Sequence, residues 1–385
     1  MKKNNIRILT IALVFALVLS FSIVFVACNN NDNGGNNPPH VESSIYDALK
    51  GSSDRVILFI GDGMGVNHVK TGEAYFGRTL FEGFDQTGLV NTSCKAVNQA
   101  TDSAAAASAM ATGEKYFRGY VSYKDSKNFQ TISEYAKSLG KGVGIVTTDT
   151  LSGATPAAFS AHAKDRGDKA TIIDCQINSD IDIFLGAGLT TWDGDDVNYD
   201  MYRTQFEAKG YTFCDKYDQL SLESSKVIGA FSEIANYNST NETPTLKQLA
   251  VFAVDFLEAK YPNGYFLMVE GAHIDKTSTV NDMNGMLAYL DEFDNAIEAV
   301  SAKMNDKDNY SMIVTADHEC GGLKYNGESK DQINDSLFTV KNHTKADVSY
   351  YVRAKYKKVQ NPSLPANIDN TDIFKMCYSL ISNKK

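Results

Sequence analysis

The stretch Arg55-Val56-Ile57-Leu58-Phe59-Ile60-Gly61-Asp62-Gly63-Met64-Gly65 decides how this chain is read. Its apolar run lacks the alternation of a half-exposed strand, so it predicts a strand buried on both faces that stops at a glycine-flanked aspartate. Five further runs share the pattern: Gly142-Val-Gly-Ile-Val-Thr147, Asp182-Ile-Phe-Leu185, Lys226-Val-Ile-Gly229, Tyr265-Phe-Leu-Met-Val-Glu270 and Ser311-Met-Ile-Val-Thr315. Helical periodicity lies between and after them, at 131–139, 155–164, 202–209, 246–260, 282–303 and 373–381, with Gly140 and Gly210 closing two of the helices. Strands apolar on both faces and separated by helices predict an α/β fold, a three-layer α/β/α sandwich with a mainly parallel central sheet.

In such a sheet, ligands bind beyond the carboxyl ends of the strands. Asp62, Glu270 and the pair Asp317-His318 all fall there. Gly61-Asp62-Gly63 alone would read as a turn, but three strands ending in metal-type ligands read as a site. Adjacent oxygen and nitrogen donors make Asp317-His318 a zinc-type pair. Asp275 and His343 add two more candidates downstream. Ser103 opens a small-residue helix in Thr101-Asp102-Ser103-Ala104-Ala105-Ala106-Ala107. A hydroxyl at a helix N-terminus feels the positive end of the dipole and sits beside N–H groups that can receive phosphate. Divalent metals would make it an alkoxide donor. Read in isolation, Thr-Asp-Ser before an alanine run is only a helix cap.

The chain has 385 residues, 43% apolar and 22% charged, which is a globular composition. Its formal charge of −10 becomes −13 without Lys2, Lys3 and Arg7, and this argues against nucleic acid as a partner. Residues 1–28 pair a basic start with an apolar run ending in Phe25-Val26-Ala27-Cys28, which resembles a bacterial lipoprotein signal with Cys28 as the lipidated residue. An uncleaved membrane anchor is the other reading. Both place the rest of the chain outside the cytoplasmic membrane, in the cell envelope. Residues 29–40, rich in Asn, Gly and Pro, read as a flexible tether, and 41–385 as the folded domain. The six cysteines show no CxxC spacing, and no pairing is assigned.

The ordered set Val56-Ile-Leu-Phe-Ile-Gly-Asp-Gly-Met-Gly65, Thr101-Asp-Ser-Ala-Ala105, Ala154-Thr-Pro-Ala-Ala158, Val269-Glu-Gly-Ala-His-Ile-Asp-Lys276, Thr315-Ala-Asp-His318 and His343-Thr344 resembles the alkaline phosphatase family. The resemblance implies hydrolysis of phosphate monoesters through a phosphoserine on Ser103, with Arg166 gripping the phosphate. It implies one Zn2+ held by Asp62, Asp317 and His318, a second held by Asp275 and His343, and Mg2+ among Asp62, Thr155 and Glu270. Phosphate esters and inorganic phosphate would be the ligands, and a homodimer is common in the family. Without the resemblance, Arg166 in Lys164-Asp165-Arg166 reads as a solvated helix-end cation, and His343 as a loop histidine. Three positions depart from the family. Thr279 replaces a zinc-binding histidine, which weakens the Asp275/His343 site unless His273 or another group compensates. Gly153 stands where members carry Asp or His, and Cys320 where some carry a histidine. The departures leave two alternatives open, another superfamily hydrolase such as a phosphodiesterase, or a degenerate lipoprotein that binds metal or phosphate without turnover. The sulfatase pattern Cys-x-Pro-x-Arg is absent around Ser103.

Overall fold

The glycine-flanked aspartate that ends the first apolar run lies beside the ends of two other central strands, and the sheet order explains why. A computed structural model describes residues 45–188, 199–234, 240–357 and 363–382. The signal and tether assigned to 1–40 lie outside the described residues, all of which belong to the unit Pro38–Lys385. Among the described residues, no helix is long and apolar enough to cross a membrane.

The main sheet comprises β1 (Arg55–Gly61), β2 (Asp85–Asn91), β3 (Gly142–Thr150), β4 (Ile183–Ala187), β5 (Tyr211–Cys214), β6 (Lys226–Phe231), β7 (Tyr265–Gly271), β8 (Tyr310–Thr315), β9 (Val348–Lys355) and β10 (Asn367–Asp369). Their order is β10-β2-β9-β8-β1-β7-β3-β4-β6-β5. From β8 to β5 every pairing is parallel, and β9 alone runs antiparallel to its neighbours. The expected mainly parallel α/β sheet is therefore present. Val56 to Ile60 are fully buried, as a strand flanked by parallel neighbours and covered by helices requires.

Four strands of the main sheet escaped the sequence reading. Asp85-Gln-Thr-Gly-Leu-Val-Asn91 and Val348-Ser-Tyr-Tyr-Val-Arg-Ala-Lys355 are too polar to read as core strands, and β5 and β10 have only four and three residues. Each is held in the sheet by backbone pairing with a neighbour that sequence periodicity does not see.

Two groups of helices reach the central strands. One contains α1 (Ser103–Thr112), which packs against the helix Ala154–Ser160 and against α5 (Asn370–Ile381). The other contains α2 (Leu246–Lys260) and α4 (Met283–Met304), packed together, with α3 (His273–Thr279) against α4. All ten residues of α1 are buried. Its alanines carry no side chain beyond Cβ, so neighbouring helices approach closely on several sides. An amphipathic pattern would have been out of place there.

Candidate active site

Register brings the candidates together. Ile60 of β1 lies opposite Glu270 of β7 on one side and Thr315 of β8 on the other, and Thr147 of β3 faces Glu270. Asp62, Glu270 and Asp317-His318 thus emerge side by side at one edge of the sheet. Gly63, at φ +74°, is needed where the Asp62 loop meets α3, because a Cβ there would lie 2.8 Å from Asp275 Cα.

Ser103 is the first residue of α1. Its Oγ lies 3.4 Å from Asp62 Oδ2 and 3.2 Å from His318 Nε2. His318 Nε2 is also 3.4 Å from Asp62 Oδ1 and 3.2 Å from Asp317 Oδ2. Asp317 Oδ1 is already occupied, accepting from Gly63 N at 3.1 Å and His318 N at 2.9 Å. Its other oxygen is left facing the cluster. Asp102 caps α1 through Ala105 N at 3.1 Å, while its second oxygen accepts from Gly119 N at 3.0 Å and Arg166 Nη1 at 3.2 Å. One carboxylate therefore both starts the Ser103 helix and draws Arg166 beside it. Arg166 lies in no helix, so the helix-end reading of this residue does not describe it.

A second cluster adjoins the first. His343 Nε2 is 3.4 Å from Asp275 Oδ1, and His343 Nδ1 is 2.9 Å from the carbonyl oxygen of Thr101. The His318 and His343 rings stack with centroids 3.6 Å apart. Cys320, fully buried, has its Sγ 3.2 Å from Thr279 Oγ1. Two sets of donor atoms converge within 4.8 Å, one from Asp62, Asp275 and His318 and the other from Asp275, Cys320 and His343. His273 belongs to neither set. Its ring stacks on Tyr289 at 4.6 Å.

Around Glu270 the arrangement is oxygen-rich. Thr147 Oγ1 donates to Glu270 Oε2, and Thr155 Oγ1 is buried without a hydrogen bond. Asp149 also stands here, its Oδ2 only 2.7 Å from where a Cβ on Gly153 would lie, and Lys276 Nζ donates to its Oδ1 at 2.6 Å. Asp149 Oδ2 thus occupies space that a side chain at position 153 would enter.

The electrostatics ask for cations. Burial, then Asp317, Asp275 and Glu270, raises the Asp62 carboxyl far above its usual range. Burial and Asp149 push Glu270 up to about 8. For Asp275, burial is outweighed by the close approach of the His343 imidazole and by His318, and its carboxyl is depressed. Burial lowers His318, keeping it neutral, whereas Asp275 overcomes burial at His343 and raises it. Burial and Asp275 push the Cys320 thiol up. Asp62 Oδ1, Asp275 Oδ1 and Asp317 Oδ2 are buried without hydrogen bonds. Carboxylate oxygens buried without partners are what a bound cation would satisfy. Imidazole and carboxylate donors at the first two sets, and oxygen donors alone at Asp62, Thr155 and Glu270, fit divalent cations.

The nine site residues named from sequence therefore lie together: Asp62, Ser103, Asp275, Asp317, His318 and His343 at the two clusters, Thr155 and Glu270 beside them, and Arg166 through Asp102. Among the described residues, His68 and His162 have partners outside these clusters. His68 accepts from Gly65 N at 3.2 Å and pairs with Ser278 Oγ at 3.1 Å, and His162 pairs with Glu134 at 2.9 Å. Asp149, Thr147 and Lys169 were missed, as was the hold of the cap residue Asp102 on Arg166. Lys169, buried and bonded to the carbonyl oxygen of Ser152 at 2.7 Å, is lowered to about 8, by burial first and then by Arg166. Asp149 follows the apolar run of β3 as Asp62 follows β1, so the strand-end rule could have found it. Lys169 carries no such signal.

With this geometry in place, similarity to known proteins becomes informative. A sequence model of alkaline phosphatases matches residues 54–382. The chain belongs to the alkaline phosphatase family. Alkaline phosphatase 3 of Bacillus subtilis is 33% identical over 309 residues, covering 73% of this chain and 65% of that protein. Alkaline phosphatase 4 of the same organism is 32% identical, over 71% of this chain and 63% of that protein. The chain thus spans just under two thirds of the length of these relatives. The solved alkaline phosphatase of the Antarctic bacterium TAB5 superposes with a TM-score of 0.71 at 25% identity, over 86% of this chain and 98% of that one. A variant of the TAB5 phosphatase has been solved with Mg in its M3 site.

Proposed function

We propose that this member of the alkaline phosphatase family hydrolyses phosphate monoesters through a phosphoserine on Ser103. The observation that carries the reading is the convergence of Ser103 Oγ, Asp62 and His318 Nε2 at the buried start of α1, with Arg166 drawn to the same helix start by Asp102. Asp62, Asp317 and His318 would hold one zinc, Asp275 and His343 would contribute to a second, and Asp62, Thr155 and Glu270 would surround magnesium. When bound, such ions supply charge stabilisation for the entering and leaving oxygens and lower the pKa of water.

The chain's own groups do the rest. The N-terminus of α1 and the Arg166 fork bind the phosphate anion, and Asp102 orients the guanidinium by holding Nη1. Ser103 gives up its hydroxyl proton and bonds phosphorus. The ester oxygen departs as the alcohol, taking up a proton. Water then cleaves the Ser103–phosphate bond, releasing inorganic phosphate and restoring the hydroxyl.

Metal content together with hydrolysis of a chromogenic phosphate monoester tests this reading. Metal or phosphate binding without turnover would instead favour the degenerate lipoprotein. For Arg166→Ala, inhibition by inorganic phosphate should weaken about 10-fold or more, as expected on losing a charged hydrogen bond of about 1.5–3 kcal/mol. An unchanged inhibition constant would return Arg166 to the role of a surface cation.

Export with a lipid anchor at Cys28 goes with this reading, supported by the apolar run that precedes Cys28 and the polar tether after it. Mass spectrometry of the mature N-terminus should find a lipidated cysteine, and an intact Met1 terminus would refute it.

A further inference from the structure

We propose that Cys320 is the third protein ligand of the Asp275/His343 metal site, replacing by a thiolate from the neighbouring ribbon the imidazole that the family places at position 279. The inference rests on the metal-site reading above and adds to it a donor that the family pattern does not contain.

Four observations carry it. Cys320 and His343 are directly opposed in the two-stranded ribbon of Glu319–Cys320 and His343–Thr344, so their side chains project from the same face. Cys320 Sγ, a carboxylate oxygen of Asp275 and a ring nitrogen of His343 lie within 4.8 Å of one another. His343 Nδ1 is committed to the Thr101 carbonyl oxygen at 2.9 Å, which turns Nε2 toward Asp275, and Asp275 Oδ1 is buried without a hydrogen bond. Finally, Thr279 Oγ1 lies 3.2 Å from Cys320 Sγ. A threonine leaves space that an imidazole would fill, and its hydroxyl can donate to a sulfur anion.

Asp275 and His343 alone would make a two-ligand site, whereas sulfur, nitrogen and oxygen together make a set that zinc accepts. His273, the other candidate for compensation, is stacked on Tyr289 and does not join Asp275 and His343. Binding would release one proton: the Cys320 S–H bond breaks, a sulfur–metal bond forms, and the proton goes to solvent. A coordinating thiol is deprotonated outright by such an ion. Among the described residues, Cys94, Cys175, Cys214 and Cys377 belong to neither donor set, and loss of the sulfur signature in Cys320→Ser separates Cys320 from these and from Cys28.

Cobalt(II) titration of the chelated full-length protein tests the assignment. Wild type should develop a sulfur-to-cobalt charge-transfer band in the near ultraviolet as this site fills. Cys320→Ser should lose the band, and one equivalent of cobalt should bind more than ~100-fold more weakly, a larger loss than outer-shell partners usually cause. Adding Thr279→His to Cys320→Ser should restore tight binding without the band, which also shows that the variant folds. Cobalt bound tightly by wild type with no sulfur band would overturn the role of Cys320 and leave the metal-site reading standing. Wild type that binds no cobalt at all would overturn both.

Discussion

Ser103→Ala should lose turnover of phosphate monoesters by a factor on the order of 10³ or more, the scale on which removing a serine nucleophile acts. The phosphoenzyme should disappear with it. Stability should change little, because the helix start depends on Asp102, whose side chain accepts from Ala105 N and Gly119 N, and the Ser103 hydroxyl makes its close contacts with Asp62 and His318. Its removal costs only one long donor contact, 3.4 Å to Asp62 Oδ2, so the loss in stability should be small. Labelled phosphate quenched in acid and mapped by peptide mass spectrometry provides the check. Phosphate found on another residue, or activity retained by the variant, would remove Ser103 from the mechanism.

Stripping divalent ions should lower the melting temperature by about 10 °C for each ion removed, since each ion held at ~1,000 times its Kd adds roughly 4 kcal/mol and a large domain shifts by a few degrees per kcal/mol. The loss should grow between pH 6.5 and 8. Glu270 titrates near 8 in the folded metal-free chain against a usual 4.5, so the native state binds the extra proton and its stability falls as pH rises toward 8. His343, raised above 6.5, acts in the same direction. His318 is lowered, so its opposing contribution is complete by about pH 6.5 and does not mask the trend. Bound cations reverse the sign, because ligands that have lost their protons hold metal more tightly. Calorimetry of loaded and chelated protein at pH 6.5 and 8 should therefore show a widening gap. A gap that stays constant or narrows would mean that these carboxylates do not hold the ions.

Much of this molecule is written locally. Six buried strands are legible because parallel strands covered on both faces must be apolar throughout, and Asp62, Glu270 and Asp317-His318 because chemistry in such a sheet collects where strands end. Ser103 and its cap are legible for the same reason, since a helix N-terminus announces itself within four residues. The antiparallel β9, the polar β2 and the short β5 and β10 are not, because their place depends on hydrogen bonds to strands far away in sequence. The same limit governs the site. Sequence alone marks Thr279 and Gly153 as positions where the resemblance to the family lapses. Only the folded chain shows what lies beside them: Cys320, which meets His343 across a two-residue ribbon and approaches Thr279 from a segment far away in sequence, is set by packing in three dimensions, whereas Asp149 reaches Gly153 through the local turn that ends β3.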